Sequence, residues 1–128
     1  MRQTESRYFL DTSALLSYFF AENEELKGII DSSSVLFTSV ISLFEIKRKL
    51  IKEKIDMNKI HSILSYIKEK SIIVRIEQDV CEKAAEISIK EKLHTTDSLI
   101  YTSSVFNNCI FVTGDQDFKN IKEVLLIK

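Results

Sequence analysis

Two aspartates stand where an apolar run gives way to a loop. Asp11 directly follows Tyr8-Phe-Leu10, and Asp115 follows Cys109-Ile-Phe-Val112 by way of Thr113 and Gly114. Carboxylates so placed do chemistry only if folding brings them together. At about 4 Å apart two of them repel by roughly 1 kcal/mol in water, and by about 4 kcal/mol at a near-surface effective dielectric of 20. Converging carboxylates therefore either take up protons or bind cations. Oxygen ligands of this kind suit hard ions such as Mg²⁺ and Mn²⁺. A water bound to such an ion becomes a nucleophile without help from cysteine, histidine or serine.

Several other chemistries are excluded by composition. Gly28 and Gly114 are the only glycines. A P-loop or a G-x-G-x-x-G dinucleotide fingerprint needs more. The two cysteines, Cys81 and Cys109, form no C-x-x-C pair and have no histidine at zinc spacing, which speaks against a structural zinc site. Both are expected to be reduced and buried. His61 and His94 follow no ligand pattern. A formal net charge of −1 lacks the overall basic footprint of a duplex-binding protein.

The elements that must position the acids follow from periodicity. Tyr8–Leu10 reads as a first strand and Ala14–Phe20 as a helix, with a second helix over Asn23–Ile30. Val35–Phe37 is a second strand. Ser39 caps a long helix carrying Val40, Leu43, Phe44, Leu50 and Ile51, and Asp56 opens another in which Met57, Ile60, Leu64 and Ile67 recur at helical intervals. The β-branched stretch Ser71–Ile76 predicts a third strand. A helix starts at Glu77 and Asp79 and finishes at Lys90 and Lys92, signs that suit its dipole. Another spans 96–106, followed by strands over Cys109–Val112 and Val124–Ile127, with Gly114 supplying a turn.

Four of these five strands are continuous apolar runs with helices between them. That pattern implies a mainly parallel five-stranded sheet covered on both faces, a three-layer α/β/α sandwich. The 128 residues, 45% hydrophobic and 29% charged, fit one domain spanning 1–128. Open parallel sheets bind ligands beyond the carboxyl ends of their strands, where the strand order reverses. If the first and fourth strands are neighbours there, Asp11 and Asp115 face each other.

Four segments in order now become recognisable: Tyr8-Phe-Leu-Asp11-Thr-Ser-Ala-Leu-Leu, Phe37-Thr-Ser-Val-Ile-Ser-Leu-Phe-Glu45-Ile, Thr95-Thr-Asp97-Ser-Leu-Ile and Phe111-Val-Thr-Gly-Asp115-Gln-Asp117-Phe118. Together the chain resembles the PIN domain in the compact form of VapC toxins, from Tyr8 to the last strand. The resemblance implies a Mg²⁺- or Mn²⁺-dependent endoribonuclease. Its metal-site acids would be Asp11, Glu45, Asp97 and Asp115, with Thr113 supporting the loop and Asp117 as a further acid. It also implies an RNA substrate, an antitoxin partner and a homodimer. Thr95-Thr96 stands where the family has an alanine-rich stretch, and Leu43-Phe44 before Glu45 is a looser match.

Each acid also has a purely structural reading. Asp11 could cap the first helix, and Glu45 could pair with Lys49 one turn later. Asp97 suits the first turn of any helix, and Asp115 and Asp117 are ordinary turn residues. The basic stretch Lys47, Arg48, Lys49 and Lys52 could meet RNA phosphates or form a solvated helix face. Tyr18, Phe19 and Phe20 could stack on a base or meet an antitoxin, with core packing expected for at least two.

A non-catalytic binding module with the same fold competes with the nuclease, as does an RNA-processing PIN nuclease without an antitoxin. A receiver domain would need an aspartate ending the third strand, and Ile73-Val-Arg-Ile-Glu77 has none. A haloacid-dehalogenase-type phosphatase would need Asp-x-Asp where this chain has Asp11-Thr12-Ser13. No apolar run is long enough to cross a bilayer and the first residues are polar, so a cytoplasmic protein without membrane contact is expected.

Overall fold

A computed structural model describes residues 6–128. In chain order it contains β1 (Arg7–Leu10), α1 (Thr12–Phe20), α2 (Glu24–Ile30), β2 (Val35–Ser39), α3 (Val40–Lys52), α4 (Met57–Lys70), β3 (Ile72–Val74), α5 (Gln78–Glu91), α6 (Thr95–Phe106), β4 (Ile110–Thr113) and β5 (Val124–Leu126). A short 3₁₀ turn, Gln116–Phe118, lies between the last two strands. All five strands are parallel, in the order β3-β2-β1-β4-β5. β1 and β4 are therefore neighbours, with Leu10 opposite Val112. The order reverses at this seam, because the chain leaves β1 towards β2 on one side and returns to β4 on the other.

The continuous apolar runs are explained by two cores. Successive strand residues point to opposite faces. Leu10, Leu36 and Val112 pack with Ala14, Leu26, Ile46, Leu50, Ile60 and Ile67 from α1 to α4. Their neighbours Phe9, Phe37 and Phe111 pack on the other face with Ile100 and Tyr101 of α6. Strands buried on both faces have no place for polar alternation.

Helix starts follow their caps. The Asp11, Asn23, Ser39 and Asp56 side chains each accept a backbone N–H from the first turn of the helix that follows. Because Asp11 is the cap, α1 begins at Thr12, two residues before the apolar run suggests. Glu77 precedes α5 without a side-chain capping bond.

Several expectations need correction. The third strand is confined to Ile72–Val74, because the Ser71 amide and hydroxyl both donate back to the Ile67 carbonyl and extend the end of α4. Cys109 is buried but Cys81 is exposed on α5. In α3 the inward stripe is Ser42, Ile46 and Leu50, which leaves Val40, Phe44 and Ile51 exposed. Four-residue steps from Leu50 decide which face turns inward. As expected for at least two of the three aromatics, Tyr18 and Phe19 pack against the core, while Phe20 is exposed. Gly114 makes its turn without a positive φ, and a Cβ there would meet Ile127 and Ser13 only at ordinary contact distance. No helix among the described residues is long and apolar enough to cross a membrane.

Phe9 lies between Phe37 and Phe111, with ring centroids 6.5 and 6.3 Å away, and is fully buried. Phe9→Ala should destabilise the protein by about 3–5 kcal/mol through cavity formation. Ile89→Ala, at a residue 82% exposed, should change stability by less than about 0.5 kcal/mol. Urea denaturation of both variants checks this contrast.

Candidate metal centre

Asp11 leaves β1 at the seam, where its amide donates to the Val112 carbonyl of β4 at 3.2 Å. The side chain is 6% exposed and surrounded by donors. Oδ1 accepts from the Ala14 amide at 2.8 Å and the Ser13 hydroxyl at 2.7 Å, and Oδ2 accepts from the Thr113 hydroxyl at 2.5 Å. The loop after β4 is tied to the same group. The Gly114 amide donates to Ser13 Oγ, and the Asp115 amide donates to Thr113 Oγ1. Asp11 is thus both the helix cap and the centre of a hydroxyl network joining two loops more than a hundred residues apart in sequence. The two readings of this residue are not exclusive.

Glu45 projects from the second turn of α3 and is held by Thr12, whose hydroxyl lies 2.6 Å from Oε1 and 3.0 Å from Ser42 Oγ. A hydroxyl has one proton. The carboxylate is the stronger and nearer acceptor, so the Thr12 proton goes chiefly to Glu45, with the buried Ser42 Oγ as a second, longer acceptor. The ion pair with Lys49 does not form; Lys49 instead meets Glu53 at 3.1 Å, one turn further along.

Asp97 lies in the first turn of α6, and Asp115 begins the 3₁₀ turn, where its Oδ1 accepts the Asp117 amide at 2.9 Å. Carboxylate oxygens of Asp97, Asp115 and Asp117 lie within 4.8 Å of one another. Asp117, expected only as an accessory acid, is a full member of this group and its exposed edge. Asp11, Glu45, Asp97 and Asp115 line one cleft of about 500 Å³. The same helix that carries Asp97 also fixes the opposite loop: Tyr101, one turn on, donates its hydroxyl to the Lys122 carbonyl at 2.8 Å and packs against the buried Phe118.

The electrostatics follow from this crowding. Asp97 is raised to about 6, first by burial and then by the charges of Asp115, Asp11 and Glu45, against a smaller lowering by His94. Asp11 is also raised, because burial outweighs its three hydrogen-bond donors. Burial first, and mutual repulsion second, disfavour the ionised carboxylates here. The donors are all oxygens, and they fit a hard divalent cation such as Mg²⁺ or Mn²⁺. Arg48, Lys49 and Lys52, on the same helix as Glu45, also line the cleft. Lys47 is outside it, bordering a shallow groove with Phe44, Arg48 and Ile51.

The PIN domain profile matches residues 8–124. The chain belongs to the PIN domain family. No curated protein matches its sequence, but solved PIN domain folds do resemble it. The VapBC2 complex of Rickettsia felis, bound to a DNA fragment from its promoter, superposes with a TM-score of 0.78 at 18% identity, over 94% of this chain and 96% of that one. A toxin–antitoxin complex from Klebsiella pneumoniae gives 0.74 at 20% identity, over 92% and 95%. VapC20 of Mycobacterium tuberculosis, a sarcin–ricin loop cleaving toxin, gives 0.73 at 17%, over 94% and 99%. At these identities the likeness is one of fold. This PIN domain shares the VapC architecture along nearly its whole length.

Three site residues were not singled out from the sequence of this PIN domain: Thr12, Ser13 and Ser42. Thr12 and Ser13 stand beside Asp11, a hydroxyl pair that could have been read as more than a strand end. Ser42 carried no such signal, because its partner lies thirty positions away.

The raised Asp97 group has a consequence for the metal-free protein. Its folded form favours the proton, so the unfolded chain ionises from about pH 4 while the folded one waits until about 6. Stability should fall as pH rises through that window and stay lower above it. Asp97→Asn should remove the loss, making the variant more stable than the wild type at pH 7 by about 1 kcal/mol once solvent screening of a half-buried group is allowed for. Urea titrations in EDTA at pH 4 and 7 test this. An advantage of the variant that is equal at both pH values would contradict it.

Proposed function

We propose that this PIN domain is a Mg²⁺- or Mn²⁺-dependent endoribonuclease and the toxin of a type II toxin–antitoxin pair. One observation carries the reading: acids from four separate elements, Asp11, Glu45, Asp97 and Asp115, line a single cleft at the sheet's reversal point. The toxin assignment draws its support from the fold shared with VapBC complexes.

Under this reading Asp11 is the fixed ligand, since Ser13, Ala14 and Thr113 hold its orientation and leave lone-pair capacity on Oδ2. Asp97 and Asp115 offer oxygens from facing loops, with Asp117 at the solvent edge. Glu45, oriented by Thr12, would be the fourth acid. When bound, the cation supplies charge neutralisation at the phosphate and a water acidic enough to attack. The reaction is in-line hydrolysis of an RNA phosphodiester, leaving 5′-phosphate and 3′-hydroxyl ends. Arg48 and Lys49, which also line the cleft, draw phosphates into it; Lys47 contributes from outside it. The proposed setting is cytoplasmic, as a homodimer neutralised by a cognate antitoxin that enters the acidic cleft.

RNA cleavage should vanish in EDTA and return with Mn²⁺ or Mg²⁺. Asp11→Asn should lower kcat about 10²-fold or more while leaving circular dichroism unchanged. Undiminished cleavage after exhaustive chelation would overturn the metal mechanism. Expressed alone, the wild type should arrest growth and Asp11→Asn should not, at matched abundance. Cleavage without growth arrest would retain the nuclease and remove the toxin role.

A further inference from the structure

Glu45 has the longest side chain of the four acids and a single support. Asp11, by contrast, is gripped by three donors. Glu45 is half-buried on α3, and among the described residues only the Thr12 hydroxyl, 2.6 Å from Oε1, holds its carboxylate. A free glutamate samples many rotamers, so one bond decides where its charge sits. The competing partner is Lys49, four residues further along α3, in the order that favours a helical ion pair. Lys49 pairs with Glu53 instead.

Thr12 is well placed to supply that bond. Asp11 caps α1, which makes Thr12 the first residue of the helix. Both Thr12 and Glu45 line the cleft. The backbone at Thr12 is fixed through its neighbour. The Asp11 amide donates to the Val112 carbonyl, and the Asp11 carboxylate accepts from Ser13 and Ala14. A β-branched side chain has few rotamers at χ1, and the fully buried Ser42 Oγ stands 3.0 Å from the same hydroxyl. Ser42 and Glu45 are three residues apart on α3, so Thr12 meets one face of that helix at two points. The bond engages Oε1 and leaves Oε2 without a partner among the described residues.

We propose that Thr12 is a positioning residue for the metal centre, whose hydroxyl holds Glu45 in the cleft beside Asp11, unpaired with Lys49, so that the fourth carboxylate is available to the cation. The proposal rests on the nuclease reading of this cleft. It makes Asp11-Thr12-Ser13 the reference for three parts of the site: Asp11 itself, Glu45 through Thr12, and the loop of Asp115 through Ser13. Because Thr12 acts through Glu45, its effect must disappear when Glu45 is removed.

A double-mutant cycle tests this. Its readouts are Mn²⁺ binding to the metal-free protein, followed by electron paramagnetic resonance with Mn²⁺ alone, and kcat and KM for RNA cleavage. Thr12→Val, which removes the hydroxyl and keeps the branched shape, should weaken Mn²⁺ binding and lower kcat, each about tenfold or more, with KM little changed. Thr12→Ser should restore most of both. In a Glu45→Ala background, Thr12→Val should cost nothing further. Circular dichroism checks the fold of each variant, and Thr12→Ala replaces the valine variant in the cycle should that one not fold.

Wild-type Mn²⁺ binding and kcat in Thr12→Val would overturn the positioning role while the nuclease stands. An equal loss with and without Glu45 would also overturn it, since the hydroxyl would then act on the frame around Asp11. Coupling of Thr12 to Glu45 in Mn²⁺ binding by a protein that never cleaves RNA would retain the positioning role and remove the nuclease. A wild type that neither binds Mn²⁺ nor cleaves RNA would overturn both.

Discussion

The Thr113 hydroxyl donating to Asp11 across the β1–β4 seam is the contact on which the site depends. It joins the two halves of the sheet where their connections diverge, and it does so through the carboxylate that also caps α1. Ser13 repeats the link by donating to Asp11 and receiving the Gly114 amide. A buried carboxylate is costly unless its charge is compensated. Here three donors offset part of that cost, and burial still raises the proton affinity of the group.

The remaining acids push against this arrangement. Asp97, Asp115 and Asp117 approach one another, and none of them takes part in a salt bridge among the described residues. A fold optimised for stability alone would separate them or replace one with an amide. That it does neither places the cluster among sites where function is retained at the expense of stability. The rigid frame that tolerates the repulsion is supplied by two cores, one on each face of the sheet.

Much of this was legible in the chain. Apolar runs at β1, β2 and β4 gave the doubly covered parallel sheet, and the capping residues Asn23, Ser39 and Asp56 marked three helix starts. Asp11 and Asp115 could be placed at strand ends because that placement is local. What escaped the sequence was non-local or directional. The Thr12–Glu45 and Ser13–Gly114 bonds span 33 and 101 positions, and nothing in composition encodes such pairings. The exposure of Phe44 and Ile51 could not be read from the chain because apolar type does not say which way a helix is rotated about its axis; Leu50 and Ile46 settle that by packing. Cys81 was misjudged for the same reason, standing on the outer face of α5.

The loop bearing Asp115 and Asp117 is held by its own hydrogen bonds and, from behind, by aromatic packing. Phe118 is wedged against Phe111 and Tyr101, with centroids 4.9 and 6.0 Å away, and Tyr101 belongs to the helix that presents Asp97. Oxygen-to-oxygen spacing at the front of the cleft is therefore inherited from ring-to-ring spacing at the back. Replacements at Phe118 or Tyr101 would shift the spacing of the acids without altering any of them.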